Sequence, residues 1–201
     1  NCLISNNTAH VGGGIFMASI SGRPTLSLTH CTVEYNQAGT SGGGIEFSSI
    51  TLQDLNIVDT DIRYNTAAVE GGGIHVDAIG SYSNISNSTF IGNQVTGAAG
   101  KGGAIYGTLN YNPLGYSITH TTFADNHAFE GGALFLTTQT LIFYSTFVNN
   151  SANSGSAIFD SSSYYGFRLT NSILYSNSPA AIHNVGNVYN VKYSDFHSNG
   201  T

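Results

Sequence analysis

Phe123-Ala124-Asp125-Asn126-His127-Ala128-Phe129-Glu130-Gly131-Gly132-Ala133-Leu134 contains the pattern that decides the fold. An apolar residue is followed three places later by Asn, then by a small residue, then by a glycine turn that enters a new apolar run. The apolar-x-x-Asn unit recurs at Ile4 to Asn7, Val33 to Asn36, Ile62 to Asn65, Phe90 to Asn93, Phe147 to Asn150, Leu174 to Asn177 and Phe196 to Asn199. The glycine turn recurs at Gly12 to Ile15, Gly42 to Ile45, Gly71 to Ile74 and Gly102 to Ile105, and decays in Gly155 to Ile158 and Pro179 to Ile182. A motif kept in one phase over the whole chain is the mark of a repeat architecture.

A third set of apolar anchors precedes each motif by five residues: Leu28, Ile57, Ile85, Ile118, Ile142, Leu169 and Val191. Each repeat therefore carries three short strands and three bends. One such coil cannot bury its own apolar residues, but stacked coils share parallel ladders and bury a continuous core. Equivalent residues then stand about 4.8 Å apart in columns. Asn tolerates bend conformations, and its amide can bond to the next amide along the column. The expected fold is all-β, a right-handed parallel β-helix of about seven coils, its hand following the rule for parallel crossovers. Variable length falls between the glycine-led strand and the third strand, where insertions are expected. Residues 1–201 read as a single β-helix segment of a longer array.

Composition agrees. Charged residues make up 8% of the chain, against about 25% in ordinary domains. With 40% hydrophobic residues the chain can still form a core. A net charge of −6 with five Lys and Arg provides no basic stripe for nucleic acid. No apolar run approaches the roughly 20 residues of a membrane-spanning helix. Five Asn-x-Ser/Thr sequons, at Asn6, Asn84, Asn87, Asn149 and Asn199, are candidate glycosylation sites and point to an extracellular or cell-surface setting.

The paired Gly-Gly-Ala-Ile-like and Phe-x-x-Asn units resemble the repeats of the chlamydial polymorphic outer membrane protein family. They also resemble a broad class of right-handed β-helix repeat proteins. The resemblance implies a surface-exposed passenger region used in adhesion, with a separate membrane anchor.

Columns identify surface neighbours. Immediately after the glycine-led anchors come Phe16, Glu46, His75, Tyr106, Phe135, Phe159 and His183. Strand residues alternate faces, so this column is expected on the outside. It reads either as a platform for a protein or glycan partner or as rings stacked on one another beneath a long loop. Glu70, Lys101 and Glu130 fall in successive coils, so opposite charges alternate along one edge. Glu34 and Arg63 share another column, as do His30 and Asp59. Cys2 and Cys31 also share one, continued by Thr60, Ser88, Thr121, Ser145, Ser172 and Ser194. That placement is compatible with a disulfide or simply with a column of small residues.

A β-helix enzyme acting on polysaccharide needs clustered carboxylates for acid–base work or calcium. The nearest approach is Asp59, Asp61 and Arg63 beside Glu34, which reads as a salt-bridged strand face. The seven His residues lack metal-ligand spacing, and the glycine runs lack the Lys-Ser/Thr of a phosphate loop. No cofactor or metal is expected. The favoured reading is a non-catalytic extracellular structural or adhesion module. The alternative is a carbohydrate-active enzyme with its catalytic residues elsewhere or in variable loops. The apolar anchors Ile4 and Phe196 lack a capping segment, so a further coil or a neighbouring subunit is expected to abut at least one end.

Overall fold

A computed structural model of the chain describes residues 1–19, 25–49, 54–79, 82–110, 116–162, 166–185 and 190–200. Every strand pairing in it is parallel, and its described residues include no helix. The chain is a parallel β-solenoid with three main sheets. The motif sheet has eight strands, from Cys2–Ser5 to Asp195–His197. The glycine-led sheet has seven, from Ile15–Ser19 to Ile182–Asn184. The return sheet also has seven, from Thr25–Thr29 to Asn190–Lys192. A small fourth sheet of two-residue strands, starting at Thr8–Ala9, follows the motif asparagines. The stretches of variable length, 20–24, 50–53, 80–81, 111–115, 163–165 and 186–189, lie outside the described residues.

Register follows the motif. Val33, Ile62, Phe90, Phe123, Phe147 and Leu174 pair in succession and are buried. Phe90, Phe123 and Phe147 stack with centroids 5.0 and 4.8 Å apart. Ile45, Ile74, Ile105, Leu134 and Ile158 form a second buried column, and Leu28, Ile57, Ile85, Ile118, Ile142 and Leu169 a third. The three columns meet in one core. Expected burial fails at Phe196, which is 44% exposed, and is only partial at Ile4, Ile15 and Ile182. The strand of Phe196 has a paired neighbour on one side alone, so one flank of the ring stays open.

The motif asparagines form a continuous buried ladder. Asn65 Nδ2 donates to Asn93 Oδ1 at 3.1 Å and to the Val33 carbonyl at 2.9 Å, while the Asn65 backbone N–H also donates to Asn93 Oδ1. The same three bonds recur at Asn36, Asn93, Asn126 and Asn150, the two to the next asparagine reaching the later coil and the one to a carbonyl reaching the earlier coil. Buried amides cost free energy unless paired, and here each is paired by its counterpart one coil on. The hydroxyl column works similarly: Thr60 Oγ1 donates to the Val58 carbonyl and accepts the Cys31 backbone N–H.

Two left-handed bends bracket the motif sheet. One runs through His30, Asp59, Asn87, His120, Tyr144, Asn171 and Tyr193; the other through Asn6, Tyr35, Tyr64, Gly92, Asp125, Asn149, Ser176 and Ser198. Glycine is needed for a different reason at Gly103, where a Cβ would be driven into the Gly132 carbonyl oxygen one coil away.

Candidate partner-binding surface

The column after the glycine-led anchors is in register throughout: Phe16, Glu46, His75, Tyr106, Phe135, Phe159 and His183 pair in succession. From His75 to His183 the rings form an unbroken stack with centroids 4.8 to 5.3 Å apart. The expectation that the whole column lies open is corrected. Phe16 is 60% exposed and His183 is exposed, but Phe135 is 4% exposed and Glu46, His75 and Phe159 are buried. Parallel stacking removes both faces of each inner ring from solvent. The Lys101 ammonium sits 4.9 Å from the Phe135 centroid, and the Glu70 carboxylate lies against His75.

Within this stack lies a charge cluster. His75 Nδ1 is 2.9 Å from Glu46 Oε1, and its Nε2 is 3.4 Å from Glu70 Oε2. Burial disfavours the imidazolium, but the hydrogen bonds to Glu46 and Glu70 outweigh it and raise the His75 pKa to about 9. The bond to His75 in turn lowers the Glu70 pKa. Tyr106 is raised to about 12, chiefly by burial and then by the nearby Glu70 charge. Ser41, Glu70, Lys101, Glu130 and Ser154 do bridge in succession, as their column predicts. Yet the carboxylate of Glu70 contacts His75, and Lys101 caps a ring.

The other charged columns also hold register. Arg63 Nε donates to Glu34 Oε2 at 2.7 Å. Thr89 donates its hydroxyl to Asp61, and His30 Nε2 lies 3.6 Å from Asp59 Oδ2, beyond hydrogen-bond reach. Cys2 and Cys31 face each other with Cα atoms 4.6 Å apart and are joined by a disulfide. Of the sequon asparagines, Asn6, Asn87 and Asn149 are exposed, Asn84 is half-buried in a return strand, and Asn199 is tied into the amide ladder.

Further open aromatic surface lies on the two bends, which the sequence reading did not single out. Tyr35 and Tyr64 are 53% and 45% exposed and stack at 5.2 Å; His120 stacks on the exposed Tyr144 at 5.0 Å. All four residues have positive φ, between 50° and 54°. L-residues pay roughly 1–2 kcal/mol for that conformation, and bulky ones adopt it rarely. The available signal was positional: Tyr35 and Tyr64 stand directly before a motif asparagine, where Asn6, Gly92 and Asp125 show that a bend residue belongs.

The sequence model of the Chlamydia polymorphic membrane protein repeat matches residues 87–108. That stretch runs from the bend at Asn87 through the motif asparagine Asn93 and the turn at Gly102 and Gly103 into the strand Ile105–Asn110. No curated protein and no solved structure matches the chain. The fold is a parallel β-solenoid, and one of its repeats matches that family's repeat. Residues 87–108 thus resemble one repeat of the Chlamydia polymorphic membrane proteins, a cell-surface family.

Proposed function

We propose that this chain is a non-catalytic extracellular structural and adhesion module, one segment of a longer solenoid, which meets a protein or glycan partner through its exposed aromatic bends. The observation that carries this reading is the placement of Tyr35, Tyr64, His120 and Tyr144 at solvent-exposed left-handed positions. Gly or Asn would occupy those bends at lower conformational cost. Backbone strain kept on a surface, with no core to fill, supports a role in contact with something else. Tyrosine is enriched among the residues that dominate binding energy at interfaces. Phe16, exposed at the start of the column, and His183, the exposed end of the ring stack, extend the same surface chemistry onto the glycine-led sheet.

The test is binding of the purified chain to glycan arrays and host-cell surfaces, with Tyr35→Gly, Tyr64→Gly and Tyr144→Gly combined in one variant. Glycine suits the left-handed bends, so the fold is expected to persist by circular dichroism while binding drops about tenfold or more. Unchanged binding by the folded triple variant would refute the reading. Release of oligosaccharides from a polysaccharide panel by the wild-type chain would instead support the enzyme alternative.

A further inference from the structure

The two bends share an arrangement that bears on the sequons. Asn6, Tyr35 and Tyr64 occupy one position in three successive coils, and Asn87, His120 and Tyr144 occupy the other bend in the same way. Backbone bonds fix both alignments: the N–H of Asn6 donates to the Glu34 carbonyl, that of Tyr35 to Arg63, that of Asn87 to Thr119 and that of His120 to Phe143. Each triplet reads sequon asparagine, aromatic, aromatic. The two rings stack, so Tyr35 and His120 each have one face covered by the later coil. The opposite face of each points toward the earlier coil, where the asparagine stands about 4.8 Å away along the column.

We infer that Asn6 and Asn87 are N-glycosylation sites whose first sugar packs on the open faces of Tyr35 and His120. Both asparagines are exposed at left-handed positions, with φ of 58° and 50°. Their side chains have no hydrogen-bond partner among the described residues, so attaching a sugar there breaks nothing. The negative face of an aromatic ring attracts the positively polarised C–H edge of a pyranose. Asn149 is equally exposed, but the next residue in its column is Ser176, which offers no ring. Asn199 is a poor acceptor, because its Nδ2 already donates to the Leu174 carbonyl and its Oδ1 accepts from Asn177.

The reaction uses a lipid-diphosphate-linked oligosaccharide. The asparagine Nδ2 bonds to the anomeric carbon and loses one proton to a base of the transferase. The bond from that carbon to the diphosphate oxygen breaks, and the lipid diphosphate leaves with the electron pair.

This inference rests on the extracellular reading above, and its test is separate from partner binding. The full chain is secreted from a glycosylating eukaryotic host, treated with an N-glycanase in heavy-oxygen water and mapped by mass spectrometry. Label is expected at Asn6 and Asn87 and not at Asn199. Secreted protein unlabelled at Asn6 and Asn87, or labelled at Asn199, would overturn the assignment. Sugar packing is read from the thermal midpoint, expected to fall on deglycosylation of wild type and to stay unchanged in a Tyr35→Gly, His120→Gly variant. An equal fall in both proteins would overturn the packing. A chain that carries both glycans but binds no partner would count against the adhesion reading alone.

Discussion

His75 Nδ1 lies 2.9 Å from Oε1 of Glu46, its in-register neighbour one coil earlier, inside a stack of rings that excludes water. The His75 pKa is raised from 6.5 to about 9 on folding. A raised folded pKa contributes stability that is fully present below the unfolded value of about 6.5 and is lost as pH rises through about 9. The urea midpoint of unfolding should therefore fall between pH 6.5 and pH 10, by the equivalent of about 2–3 kcal/mol. In His75→Gln that window should be flat. Glu70 gives the opposite limb: its lowered pKa contributes stability above the unfolded value of 4.5, lost as pH falls below it.

Phe123 sits between Phe90 and Phe147 with both faces covered. Truncation to Ala opens a cavity in the middle of the column, where coils above and below prevent collapse. A cost of roughly 3–5 kcal/mol is expected in equilibrium unfolding. Phe196→Ala, at a ring 44% exposed, should cost much less.

Asn93 receives the backbone N–H and Nδ2 of Asn65 and donates to the Ile62 carbonyl and Asn126 Oδ1. Asn93→Ala strands these groups in the interior, each at about 1–3 kcal/mol. The variant should be destabilised by at least about 3 kcal/mol, measured by denaturant titration. Asn6→Gly, outside the ladder at a left-handed bend that glycine suits, should be nearly neutral.

The Cys2–Cys31 disulfide closes a loop with a sequence separation of 29. A loop of that size is stabilised by about 3–4 kcal/mol relative to the open chain. Neither cysteine should react with a thiol reagent unless reductant is present. In the Cys31→Ser variant, amide exchange should accelerate in residues 2–19 and remain slow around Phe123.

The solenoid was legible in the sequence because one phase-locked motif fixes the register of every sheet. Column membership followed from counting, which is why Glu34 with Arg63 and Cys2 with Cys31 were placed correctly. Exposure was less accessible. Whether Phe135 or His75 faces water depends on rings about 5 Å away in neighbouring coils, and on Lys101 and Glu70 reaching over from a different column. Alternation along a strand gives direction and not cover. The exposed tyrosines escaped notice for a related reason. Nothing in the residue type of Tyr35 or Tyr64 announces positive φ, since only its place beside a motif asparagine does so.

The asparagine ladder tolerates steps of 22 to 33 residues between rungs without a break in its bonding. Each rung needs only an amide at the right phase from the coil before and the coil after. A coil is therefore an interchangeable part. Recombination within the gene that removes or duplicates the stretch from one asparagine to the next leaves two rungs that still fit. Such a molecule can change its length and shuffle the rings and sequons on its bends without having to redesign its interior.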